Sequence, residues 1–141
     1  MIVNYLLTNG ISNSRKNPFV LFIDEVHRYT NKKILGEKVL TGLEGMAREG
    51  RKLGQYLFLT TQSPLDVPEN LLSQVGTLLS HRLTHQNQLS AIRNYMENDS
   101  YNRINKLGIG EAVLTSSNLL QNINLIIDES KRKHDNESPL Y

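Results

Sequence analysis

The chain of 141 residues contains no cysteine. This excludes a disulfide framework and a thiolate metal site, and it fits a reducing compartment. No apolar run approaches the roughly 18 residues that a membrane-spanning helix needs. The opening Met1-Ile2-Val3-Asn4-Tyr5-Leu6-Leu7 carries no basic flank and is too short for a secretory signal. Strong charge of one sign is also missing. Lys plus Arg number 16 and Asp plus Glu 14, a formal net charge of +2. That balance alone gives no electrostatic case for nucleic acid. A cytoplasmic protein outside the membrane is expected, with length enough for one core and not for two.

A metal-hydrolase pattern is absent as well. His27, His81, His85 and His134 form no ligand pair with a nearby base. His81 and His85 are four apart, but they straddle an expected strand-to-helix junction. That spacing aligns two ligands only on a helix.

What is present starts at Phe19-Val20-Leu21-Phe22-Ile23-Asp24-Glu25. Five apolar residues run into two adjacent carboxylates. A continuous apolar run reads as a strand buried on both faces, as in a parallel sheet. Ligands of such sheets bind beyond the carboxyl ends of the strands, which is where Asp24 and Glu25 stand. This is the shape of a Walker B element: one carboxylate for the water shell of Mg²⁺, the second for an attacking water. A strand ending in two solvated acids is the alternative.

Residues 1 to 9 read as a short helix, 12 to 17 as a loop and 29 to 36 as another. From Glu37 to about Leu53, Val39, Leu40, Leu43, Met46 and Ala47 repeat at helical spacing. Gly42 and Gly45 inside that helix suggest close packing or a break, and Gly54 is a natural residue just past its end. Residues 55 to 61 form a second buried-type strand ending at Gln62-Ser63-Pro64. Pro68 opens a short helix over 69 to 74. A third strand covers 77 to 83, and a helix 85 to 96 carries Leu89, Ile92 and Met96 on one face. A shorter helix runs from an Asp99 cap to Lys106. Strands at 111 to 115 and 123 to 127 pair as a hairpin. Residues 129 to 141 are charged and polar and are expected to form a disordered tail. Three strands separated by helices, then a hairpin, indicate a mostly parallel α/β sheet.

If the first two strands are parallel neighbours, Asp24, Glu25 and Gln62 emerge at one edge. The Gln62 amide is then either a sensor for a water or a γ-phosphate, or an ordinary turn residue. Arg51 leaves its helix at the opposite edge. It is either a finger serving a neighbouring subunit's site in a ring or a basic helix end complementing the macrodipole.

The succession of Phe22-Ile23-Asp24-Glu25-Val26-His27, Arg48-Glu49-Gly50-Arg51-Lys52-Leu53-Gly54, Leu59-Thr60-Thr61-Gln62-Ser63-Pro64, Leu72-Ser73-Gln74-Val75-Gly76-Thr77, His81-Arg82-Leu83-Thr84 and Leu107-Gly108-Ile109-Gly110-Glu111-Ala112 resembles the C-terminal half of the HerA-type ATPases. The similarity spans about residues 18 to 127. These proteins belong to the HerA/FtsK group of hexameric DNA-pumping motors. The resemblance implies a RecA-like P-loop NTPase core fragment, with helices on both faces of the sheet and a closing C-terminal β-hairpin. It implies Asp24 as the magnesium carboxylate, Glu25 as the catalytic base, Gln62 as the sensor and Arg51 as the trans-acting arginine. Arg82 follows as a second, interface arginine on the nucleotide. ATP and Mg²⁺ are the implied cofactors. A homo-oligomeric, hexameric ring, double-stranded DNA and a nuclease or effector are the implied partners.

One departure limits that inference. No G-x-x-x-x-G-K-[ST] occurs anywhere in the chain. Its backbone N–H groups and lysine are the main phosphate contacts of such enzymes. Residues 1 to 128 therefore read as the distal half of an ATPase domain, inactive alone. Basic candidates for DNA contact are Ser12 to Lys16 and Lys32-Lys33, which read equally as solvated loops.

Two other readings stay open. Asp24-Glu25-Val26-His27 also spells a DExH box, although the next strand ends in Thr-Gln-Ser-Pro and no Q-x-x-G-R-x-G-R motif follows. A non-catalytic RecA-like interaction fragment is the other.

Overall fold

The computed structural model of the chain describes residues 16–30 and 37–129, with side chains from residue 42 in the second segment. The expected helix at 1 to 9, the basic pair Lys32-Lys33, His134 and nearly all of the expected polar tail lie outside the described residues.

Aromatic and branched side chains favour the pleated conformation, and they form two short strands, β1 (Phe19–Ile23) and β2 (Gln55–Leu59). The strands are parallel neighbours, registered from Phe19 opposite Gln55 to Ile23 opposite Leu59. Main-chain bonds close both ends of the pair. Phe19 N–H donates to Gly54 C=O at 2.9 Å, and Thr60 N–H donates to Ile23 C=O at 3.0 Å. A parallel pair needs a crossover, and α1 (Glu37–Glu49) belongs to it. It runs unbroken through Gly42 and Gly45, and a Cβ at residue 45 would meet nothing within 4 Å. The expected tight packing or break is therefore not found at Gly45. A 3₁₀ turn, Gly50–Leu53, extends the helix, and Gly54 ends it with φ 73°, as expected of a residue past a helix end.

The expectation that β1 is buried on both faces is corrected. Both strands alternate half-buried and exposed residues. Ile23, Leu57 and Leu59 pack on a core of Val26, Leu43, Val67, Leu71 and Leu72. The opposite face carries Val20, Phe22, Tyr56 and Phe58, all exposed. The described helices that supply this core sit on one side of β1 and β2 only, so the apolar run satisfies one face and leaves the other to solvent.

Beyond β2, α2 (Glu69–Leu72) follows Pro68, and β3 (Thr77–Ser80) ends three residues sooner than the pattern predicts. Then come α3 (Gln86–Ile92), extended by a 3₁₀ turn to Tyr95, and α4 (Asn98–Ile104). The last strands are β4 (Glu111–Ser116) and β5 (Ile123–Ile126). β4 and β5 form the expected antiparallel hairpin, and β3 joins its other edge, also antiparallel. The parallel order thus holds for β1 and β2, which form a two-stranded sheet, while β3, β4 and β5 form a separate three-stranded antiparallel sheet. A second core of Leu89, Tyr101, Ile104, Leu107 and Val113 fixes α3 and α4 against β4.

Candidate nucleotide-site half at the strand tips

The parallel register carries both strands out of the sheet at the same edge. Ile23 opposite Leu59 places Asp24 beside Thr60. The Thr60 hydroxyl donates to Asp24 Oδ1 and accepts the Glu25 N–H at 3.0 Å. The Thr60 carbonyl accepts Val26 N–H at 2.9 Å. These bonds turn the chain sharply after β1.

The turn is made at an unusual residue. Glu25 has φ 52° and ψ 53°, the left-handed region. It is the one non-glycine residue with positive φ among those described. The conformation costs a non-glycine residue about 1–2 kcal/mol. Such strain tends to gather where a side chain must be aimed. Here it aims the Glu25 carboxylate across to β2, where Oε2 accepts the Gln62 backbone N–H at 3.2 Å. His27 Nδ1 lies 3.2 Å from the same oxygen and 3.0 Å from Thr61 Oγ1. Thr61 Oγ1 in turn accepts Ser63 N–H at 3.0 Å.

Three of the sequence-predicted residues therefore meet: Asp24, Glu25 and Gln62. Asp24 and Gln62 are exposed and Glu25 is half-buried. The Gln62 side-chain amide makes no bond to another described residue, so it is free to meet a ligand. α3 is tied to the segment that follows Gln62. Gln88 Nε2 donates to Ser63 Oγ at 3.0 Å, and Leu65 N–H donates to Gln88 Oε1 at 3.1 Å.

Arg51 is not brought to the acids. It is exposed on the turn before β2. The strand's five residues separate it from the tips, about 16 Å at the rise of an extended chain. Arg82 is exposed in the segment joining β3 to α3, and no hydrogen bond or ion pair ties it to another described residue. His81 Nδ1 lies 3.1 Å from Glu111 C=O, so it orders the loop beside β4. No group of three or more His, Cys, Asp or Glu residues suited to a metal occurs among the described residues.

Sequence reasoning overlooked Thr60 and Thr61 as site members. The available signal was the register: once two parallel strands end in step, the residue after β2 faces the residue after β1. A cavity of about 250 Å³ lined by Leu72, Val75, Leu78, Tyr95, Thr115 and Ser116 lies apart from the tips and shares none of these residues.

The fold is shared with solved nucleoside triphosphatases. The chain superposes on the genome packaging NTPase B204 of Sulfolobus turreted icosahedral virus 2, solved in complex with ATP-gammaS, with a TM-score of 0.68 at 20% identity. The match covers 82% of this chain and 56% of that one. B204, the DNA-packaging ATPase from Sulfolobus Turreted Icosahedral Virus, matches with a TM-score of 0.70 at 18% identity, over 91% of this chain and 62% of that one. These likenesses give the class: an α/β fold of the P-loop NTPase kind. The family described as Helicase HerA-like C-terminal matches residues 8–122. The chain belongs to this family. It is 30% identical over 104 residues to the DNA double-strand break repair helicase HerA of Saccharolobus solfataricus, covering 70% of this chain and 20% of that protein. It is 29% identical over 107 residues to a probable helicase, MJECL08, of Methanocaldococcus jannaschii, covering 74% of this chain and 20% of that protein. The chain thus spans about a fifth of the length of these relatives. No described helix is long and apolar enough to cross a membrane.

Proposed function

We propose that the chain is the Walker B half of an ATP-driven DNA translocase of HerA type, working once a phosphate-loop segment completes the nucleotide pocket. The observation that carries this reading is the convergence of Asp24, Glu25 and the Gln62 backbone at one sheet edge. Family membership supports it, as does the likeness to a packaging NTPase solved with ATP-gammaS and AMP.

In this reading Asp24 is the magnesium-side carboxylate. Its fit is good: it is exposed, and Thr60 holds one oxygen while leaving the other open. Mg²⁺ in such enzymes uses one or two carboxylates, with waters and substrate phosphates completing the shell. When bound, the ion would neutralise charge on the β- and γ-phosphates. Glu25 accepts a proton from the attacking water, and Gln62 senses the water or the γ-phosphate through its free amide. Arg51 stands at the opposite end of β2 from the tips and serves a neighbouring subunit's pocket in a ring, which the family places at six. Arg82 is a second interface arginine. Double-stranded DNA is the track, with a nuclease or effector as associate.

A non-catalytic docking fragment is the second reading, favoured by the exposed Phe22 and Phe58 on the sheet face. One experiment separates the two. The purified 141-residue chain is assayed for ATP hydrolysis alone and after co-expression with the phosphate-loop segment of a HerA-type relative. Activity only in the pair, abolished by Glu25→Gln with nucleotide binding intact, is the expected result. Turnover by the pure chain would refute the need for a completing segment, and a pair that binds and never hydrolyses would refute the catalytic reading.

A further inference from the structure

We infer that Thr60 is the positioning residue of this site, one hydroxyl that fixes the metal-side carboxylate and the backbone of the base together. The inference rests on the roles proposed above for Asp24 and Glu25. Its geometry is independent of them.

A threonine hydroxyl has one proton to give and lone pairs to accept with. Both are used. The proton goes to Asp24 Oδ1, and a lone pair takes Glu25 N–H at 3.0 Å. The Thr60 main chain closes the same clamp on either side of the acids, through Ile23 C=O at 3.0 Å and Val26 N–H at 2.9 Å. Between those anchors lies Glu25, in a backbone region that a glutamate disfavours. Its carbonyl accepts Arg28 N–H at 2.9 Å, and its N–H depends on Thr60. The left-handed turn is what folds the Glu25 carboxylate back on the Gln62 N–H. Removal of the hydroxyl therefore frees Asp24 to rotate and lets Glu25 relax, so both acids lose their aim through one atom. Valine has the shape of threonine and can make neither bond. Serine keeps the hydroxyl and can make both.

The full 141-residue chain, isotope-labelled, tests this by NMR. In the unaltered protein the Thr60 hydroxyl proton should appear as a slowly exchanging signal close in space to the Glu25 amide. In Thr60→Val, exchange of the Glu25 amide should rise about two- to tenfold, the range for one lost hydrogen bond, while amides of β4 stay as they were. Thr60→Ser should restore protection. A rapidly exchanging Thr60 hydroxyl, a Glu25 amide unchanged in Thr60→Val, or a Thr60→Ser protein resembling Thr60→Val would each overturn the clamp. The hydroxyl signal needs no variant, so it decides even if Thr60→Val unfolds. A second arm adds MnCl₂ alone. Paramagnetic broadening at Asp24 and Thr60 in the wild type and Thr60→Ser, weakened in Thr60→Val, is the expected pattern. If no form is broadened, the metal role of Asp24 fails, and the exchange data still decide the clamp.

Discussion

The Gln62 backbone N–H, not its side chain, holds the Glu25 carboxylate, at 3.2 Å from Oε2. The main chain and the side chain of Gln62 thus have separable parts. Its main chain holds the Glu25 carboxylate, and its side-chain amide makes no bond to another described residue. Gln62→Ala should keep Glu25 in place and remove only the sensor. In the completed ATPase, turnover should fall about 10²-fold, the cost of one well-placed polar contact to the reacting group. Nucleotide affinity should change little. A proportional loss of affinity, measured by nucleotide titration beside kcat, would show that the side chain serves ground-state binding instead.

Arg51 stands at the amino end of β2 while the acids stand at the carboxyl end of β1 and β2. Under the proposed function this placement assigns Arg51 to a neighbouring subunit's pocket. Arg51→Ala should therefore abolish activity alone and regain part of it when mixed with Glu25→Gln subunits. In the mixed ring some interfaces pair a sound arginine with a sound base. Activity of mixed rings is the readout, and an absence of any rescue removes the trans assignment.

Phe22 and Phe58 stack with ring centroids 4.8 Å apart and planes 21° apart, on the open face of the sheet. They are 72% and 54% exposed. Exposed apolar patches of this kind bind hydrophobic dyes and promote association. Phe22→Ser with Phe58→Ser should lower dye binding and aggregation. The stability cost should stay near the ~0.5–1.5 kcal/mol of an aromatic pair. Leu71→Ala, at a fully buried position, should cost about 2–5 kcal/mol. Urea unfolding compares the two. Equal costs would mean that the sheet face is covered.

The same contrast shows what could be read from the residues and what could not. The apolar runs before Asp24 and Gln62 marked both strands, and their common edge followed only on the condition that they are parallel neighbours, which the register bears out. Periodicity found Leu43, Met46, Leu89 and Ile92, all buried. The runs could not reveal that one side of β1 is open, since burial on the second face depends on what else packs there. The antiparallel placement of β3 is a long-range pairing of Thr77–Ser80 with Val113–Ser116, and no local pattern encodes it. Glu25's left-handed turn was hidden for a different reason. Nothing in a Glu side chain signals positive φ, and the compensation comes from Thr60, 35 residues away.

Tyr95 supplies the pH dependence. Burial, and after it the negative charge of Glu69, raises its pKa above the ordinary phenol value. The folded state then holds the Tyr95 proton more tightly than the unfolded chain does. The stability this confers is complete below about pH 10 and is lost as pH rises through the higher folded value. Tyr95→Phe should leave stability at neutral pH nearly unchanged and flatten the fall above pH 10. Urea midpoints at pH 8 and pH 10.5 measure it. An identical alkaline fall in both proteins would assign the effect to the other tyrosines.

Gly108 and Gly110 look alike in the sequence and should behave differently. Gly110 has φ 76°, and a Cβ there would stand 3.1 Å from the Ile127 carbonyl oxygen. Ile127 N–H also donates to Gly110 C=O at 2.8 Å, closing the hairpin. An alanine at 110 meets a left-handed backbone, about 1–2 kcal/mol, and a main-chain atom that can retreat only by breaking that closure. Gly108 has no such constraint. A Cβ there would lie 3.4 Å from the Glu111 carboxylate, an ordinary contact with a side chain that can shift. Gly110→Ala should therefore lower the unfolding midpoint clearly and Gly108→Ala only slightly. If the two variants unfold at the same urea concentration, the hairpin does not depend on the left-handed residue that starts it.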